Sequence, residues 1–118
     1  NSVYSTGYSS NPYTCANTND KIFLPSYMEM ENNAYGFSSS YNAYDTARRL
    51  TSDYSRATGA FMSTSTEYYG IGGWWSRSPY YDGSYGARDV IGYGNVYDGS
   101  DVSNSHFGVV PTLVISLP

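Results

Sequence analysis

The sequence predicts an α+β domain, from three observations. Helical stretches are read before Gly59, short apolar runs broken by turn residues come after it, and no repeat of solenoid or propeller period appears. Two short helices are expected to pack on small antiparallel sheets, with a loop-rich C-terminal half. The 118 residues make one domain, 1–118, long enough to bury about two-thirds of its unfolded surface. Leu, Ile, Val and Phe number only 4, 4, 7 and 4, a proportion typical of disordered chains, yet the net charge is −4 and charged residues are 14%. The missing apolar mass comes from 15 Tyr, 2 Trp and 3 Met, and aromatic side chains bury large areas each.

Residues 1–20 are polar and unperiodic and read as a loop or edge segment. KIFLP at 21–25 is an apolar strand end stopped by Pro25. Ser26 and Glu29 form an S-x-x-E capping box that starts a helix at Tyr27, with Met28, Met30 and Ala34 on its buried side and Gly36 at its left-handed end. A second helix is expected over Tyr44–Leu50, carrying Ala47 and Leu50 inward, and a further turn or short helix over Ser52–Ala57, ended by Gly59. GAFMSTST (59–66) and GGWWSRSP (72–79) read as strands. Adjacent strand residues face opposite sides, so one of Trp74 and Trp75 is expected in the core. GVVPTLVISLP closes the chain as a terminal strand supplying Val109, Val110, Leu113, Ile115 and Leu117.

Several function classes are excluded by composition. One Lys in an acidic chain cannot make the basic patch of a nucleic-acid binder. No run approaches the ~18 apolar residues of a membrane span, so this segment is not expected to insert. Cys15 is alone, which leaves no disulfide within the domain and no thiolate metal site. The single His106 sits between Ser105 and Phe107 in a polar loop, poor surroundings for a catalytic base. Asp82, Asp89, Asp98 and Asp101 lack the apolar neighbours that raise a carboxyl pKa for acid catalysis. Asp98-Gly-Ser-Asp101 lacks the spacing of an EF-hand loop. No catalytic role, cofactor or metal is expected.

The informative stretch is 80–108, YYDGSYGARDVIGYGNVYDGSDVSNSHFG. Ala87, Arg88, Val90, Gly94, Val96, Val102 and Gly108 read as framework, Gly94 at a positive φ. The 22 positions between them hold Tyr five times, Asp, Gly and Ser four times each, and no Lys, Glu, Gln, Met or Trp. That is a paratope's composition: Tyr gives rigid amphipathic contact at low entropy cost, and Ser, Gly and Asn give adaptable hydrogen bonding. These side chains are therefore expected to be exposed and dispensable for folding. The plainer alternative is a turn-rich β region whose tyrosines pack on a strand face.

LPSYMEMENNAYGF, YDTARRLTSDYS, WWSRSP and GVVPTLVISL resemble a bacterial and phage domain of C-type-lectin fold, used as the variable protein of diversity-generating retroelements. Ser76 stands where that pattern commonly has Leu, and Val110 where it has Arg. The Glu-Pro-Asn and Trp-Asn-Asp elements of calcium-dependent sugar-binding lectins are missing. In such systems adenine-directed mutagenesis never yields Lys, Glu, Gln, Met or Trp, which matches the 22 positions. The resemblance implies a variable region over 68–108 on an invariant WWxRSP and GVVP scaffold. Its ligand-binding residues would be Tyr69, Ile71, Tyr80, Tyr81, Asp82, Ser84, Tyr85, Asp89, Ile91, Tyr93, Asn95, Tyr97, Asp98, Ser100, Asp101, Ser103, Asn104, Ser105, His106 and Phe107, with Gly73 varying beside them. The partner would be a protein on another surface, met extracellularly, at a cell surface or on a virion. The alternatives are a calcium-independent carbohydrate-binding module and a non-diversifying surface adhesin.

Overall fold

The computed structural model describes residues 11–13, 19–37 and 46–115, with the backbone alone at 97–98. The architecture is α+β. Helix α1 (Tyr27–Met30) and a 3₁₀ turn (Asn33–Tyr35) are followed by β1 (Arg49–Leu50), α2 (Asp53–Ala57), β2 (Ile71–Gly72), β3 (Trp74–Pro79), β4 (Gly86–Val90), β5 (Val96–Asp101) and β6 (Gly108–Val109). β1 and β2 form an antiparallel pair, and the other strands form a sheet of order β5-β4-β3-β6. That sheet is mixed: β4 is antiparallel to both neighbours, but β6 runs parallel to β3. The expectation of purely antiparallel sheets is corrected there.

The helices begin where the sequence placed them. Ser26 accepts from the Glu29 N–H, and the Glu29 carboxylate accepts from the Ser26 N–H, so two otherwise orphaned donors are satisfied. Gly36 closes the following 3₁₀ turn at φ +80°. Ser52 caps α2, and Gly59 lies beyond it at φ +97°. Because α1 is a single turn, its buried side is only Tyr27 and Met30; Met28 and Ala34 are exposed, against expectation.

Tyr27, Met30, Ala47, Trp74, Val90 and Val96 form the core, with Phe37 and Val110 packed against it. Strand β3 alternates buried and half-buried residues, and its inward side is Trp74, Ser76 and Ser78. The two small serines let α1 come close: the Tyr27 N–H donates to Ser78 Oγ at 2.9 Å. Ser76 accepts from the Ser78 N–H at 3.1 Å. The Trp74 indole donates to the Ala47 carbonyl at 3.0 Å.

That last bond explains a second correction. Residues 44–45 lie outside the described residues, but the rest of the expected 44–50 helix is a turn leading into β1, and Leu50 is 78% exposed. A helix would join the Ala47 carbonyl to the Thr51 N–H. Instead the carbonyl serves Trp74, and the Thr51 N–H donates to Gly70 at 2.8 Å. Tertiary partners outcompeted local ones. Residues 59–66 form no ladder either, because the Phe61 and Ser63 N–H groups go separately to His106 and Ile71.

The terminal strand is short. Beyond β6, Pro111 has no N–H to donate, and pairing resumes only at the Phe23–Thr112 bridge. Val109, Leu113 and Ile115 are exposed, and Leu117 lies outside the described residues. Of the expected framework, Val90 and Val96 are buried and Gly94 has φ +93°, but Val102 is 59% exposed.

Candidate functional site

Register divides the sheet into two faces. Trp74 lies opposite Val90, and Val90 opposite Val96, on the core side. Trp75 lies opposite Asp89 on the other side, and the backbone of Asp89 pairs with that of Tyr97. The turns and loops after β3, β4 and β5 carry most of the candidate residues, and the last of them packs Phe107 on Trp75.

The candidates fall into three groups. Exposed ones are Tyr69, Asp82, Ser84, Tyr85, Tyr93, Asp101, Ser103, Ser105 and His106. Half-buried ones are Ile71, Tyr80, Tyr81, Ile91, Asn95, Ser100, Asn104 and Phe107. The third group is Asp89 alone, at 0% exposure. The backbone of Tyr97 and Asp98 lies in β5, and their side chains fall outside the described residues. Full exposure of the set is thus corrected at its packed members.

Tyr80 shows why. A Cβ on Gly86 would come within 2.9 Å of Tyr80, and one on Gly99 within 2.7 Å of its ring. Gly99, at φ +148°, lies within the stretch where β5 slips by one residue against β4. Tyr80 therefore fills space that two glycines leave, and Tyr81 meets it edge-on at 4.8 Å. Phe107 behaves similarly. Its ring lies 4.7 Å from that of Trp75, and a Cβ on Gly73 would come within 2.6 Å of it. Gly73 can gain a side chain only if Phe107 yields.

Asp89 sits on the outer face but is sealed from water. Neither carboxyl oxygen has a hydrogen-bond partner of good geometry. Burial pushes its pKa up to about 6, while the Ser100 hydroxyl and the Arg88 guanidinium pull the other way. It cannot touch a ligand directly. The sequence reading, which saw only polar neighbours around the aspartates, missed this environment. Asp101 is the opposite case: the Ser103 N–H donates to its carboxylate at 2.9 Å and holds its pKa below the usual value.

Five candidates line one cleft of about 290 Å³: Ile91, Tyr93, Asn104, His106 and Phe107, with Phe61, Ser63, Gly73 and Gly92 completing it. The Phe61 N–H donates to the His106 carbonyl at 2.9 Å, which ties the two walls together. Asn104 Oδ1 accepts from the His106 N–H at 3.0 Å and shapes the loop. Tyr93 is held from behind: Arg48 Nε donates to its carbonyl at 3.0 Å, Tyr68 meets its ring at 5.0 Å, and Arg48 lies 4.8 Å over Tyr68. Sequence reasoning missed Phe61, Ser63, Tyr68 and Arg48. An aromatic residue in the otherwise small and largely polar 59–66 segment was the available signal for Phe61.

The scaffold arginines serve structure. Arg77 pairs with Glu29 at 2.8 Å and covers Phe23. Arg88, 2% exposed, lies 4.4 Å over the Tyr27 ring. Among the described residues no three His, Cys, Asp or Glu side chains gather as a metal-ligating group, and no helix is long and apolar enough to cross a membrane.

The chain belongs to the family defined as a domain of unknown function, DUF6273, whose model matches residues 1–117. No curated protein and no solved structure matches it.

Proposed function

We propose that this member of the DUF6273 family is a ligand-binding module of C-type-lectin type. The outer face of its sheet, with the loops at 80–85, 91–95 and 101–107, is the contact surface. The module is the variable protein of a diversity-generating retroelement, and its ligand is a protein on a cell or virion surface. It acts by binding, without catalysis.

The supporting observation is a division of labour. The segments that resemble the retroelement domain meet one another: the Arg77 N–H donates to the Pro25 carbonyl at 3.1 Å, and Trp74 and Trp75 pair with Gly108 and Val109. Nine candidate residues point to solvent around that scaffold. Exposed tyrosines beside Ser, Asn and Asp are the chemistry of protein recognition. Trp75 has Phe107 against its ring, which favours a protein ligand over sugar stacking.

Replacing Asp82, Tyr85, Tyr93 and His106 together by Ser tests this. Crosslinking to intact cells should identify a surface protein captured by the native domain and lost with the variant, at unchanged melting temperature. Binding confined to a glycan array, or capture unaffected by the four changes, would overturn the reading.

A further inference from the structure

The cleft has a chemistry that narrows its occupant. Three rings line it, from Phe61, Tyr93 and Phe107, and both Phe61 and Tyr93 are about half exposed. Its volume of about 290 Å³ suits one large side chain rather than a small-molecule ligand. The segments that form its walls, 61–73, 91–95 and 101–107, hold two carboxylates, Glu67 and Asp101, and no Lys or Arg. Glu67, exposed, accepts from the Tyr68 hydroxyl at 2.8 Å, and Tyr68 packs on Tyr93. Asp101, also exposed, starts the loop that forms the other wall, where its carbonyl accepts from the Asn104 N–H. From Ser78 to the end of the chain the one Lys or Arg is Arg88, which is buried against Tyr27. Arg48 is the opposing cation, and it is already engaged by Tyr68 and the Tyr93 carbonyl.

Aromatic faces beside carboxylates attract cations, and planar guanidinium stacks on rings better than ammonium does. The chain uses this chemistry repeatedly, with Arg48, Arg49, Arg77 and Arg88 each lying over a ring. We propose that the Phe61–Tyr93–Phe107 cleft is a subsite for an arginine side chain presented by a basic segment of a protein ligand. This rests on the binding-face reading and specifies its partner.

The test uses capped Gly-Arg-Gly, with Gly-citrulline-Gly as the neutral shape match and Gly-Tyr-Gly as the aromatic one. Amide resonances of Gly73, Gly92, Tyr93 and Phe107 report binding. The arginine peptide should shift them and bind about fivefold more tightly than the citrulline peptide, with the preference shrinking at high salt. Phe61→Leu and Tyr93→Leu, which keep apolar bulk but remove a ring, should each erase that preference. Equal binding of citrulline, tighter binding of tyrosine, or no shift at these amides would overturn the proposal. Loss of this inference alone would leave cell-surface capture intact. Failure of the binding-face reading would appear instead as capture unaffected by the four Ser changes, or as binding confined to glycans, whether or not the cleft takes the arginine peptide.

Discussion

Trp74 and Trp75 are neighbours on one strand and stand on opposite faces of one sheet. The Trp74 side is dry: the indole is 2% exposed, its N–H is satisfied by Ala47, and Val90 and Val96 continue its row. The Trp75 side opens to loops, and its row runs through a buried carboxylate. One face is specified by packing and the other by polar loops whose side chains have few fixed neighbours. The lesson is that a variable-looking stretch is divided by position. Residues at its roots, such as Tyr80, Asp89 and Phe107, belong to the fold, while those at its tips do not.

The largest expected effect separates the two tryptophans. Trp74→Ala removes a buried indole and a buried hydrogen bond and should cost about 3–5 kcal/mol. Trp75→Ala loses a half-buried ring against Phe107 and should cost about 1–2 kcal/mol. Denaturant unfolding measures both, and equal costs would break the comparison.

Asp89 gives the next effect, with a definite sign. Its native pKa of about 6 lies above the ordinary 3.8, so the folded state holds a proton that the unfolded state has released between those values. Stability should fall as pH rises from 4 to 6, by about 2–3 kcal/mol, and stay level above. Asp89→Asn should flatten that dependence and leave the variant more stable than the parent at pH 7. A slope unchanged by the substitution would place the titration elsewhere.

How much of this was legible in the sequence follows the same divide. The α1 capping box, the short helix after Ser52, Gly36, Gly94 and the WW strand were readable because each depends on residues within a few positions. The 46–50 part of the expected helix and the 59–66 segment were misread because their backbone groups bond to partners remote in sequence, which no local pattern encodes. Parallel addition of β6 was hidden for the same reason. At the site, composition identified exposed tips such as Tyr85 and Tyr93. It could not show that Tyr80 rests over Gly86 and Gly99, or that Phe61 comes from outside the stretch to close the cleft.

The smallest effects are those expected of true surface residues, and they sharpen the comparison most finely. Tyr85 and Tyr93 are both more than half exposed. Tyr85 leans over Gly83, and Tyr93 meets Tyr68 at its edge, but neither plugs the sheet. Each Tyr→Ser change should shift stability by no more than about 0.5 kcal/mol. Tyr80→Ser should cost about 1–3 kcal/mol, because no side chain on Gly86 or Gly99 replaces the lost ring. Combining Tyr80→Ala with Gly86→Ala should return none of that loss, because the new methyl meets the Cβ that residue 80 keeps, at 2.9 Å. Gly99→Ala should not rescue, since its φ of +148° strains any residue with a Cβ. Melting curves of these variants would decide the matter. Equal effects at Tyr80 and Tyr85 would mean that the glycines do not seat the ring, and that root and tip are not distinct.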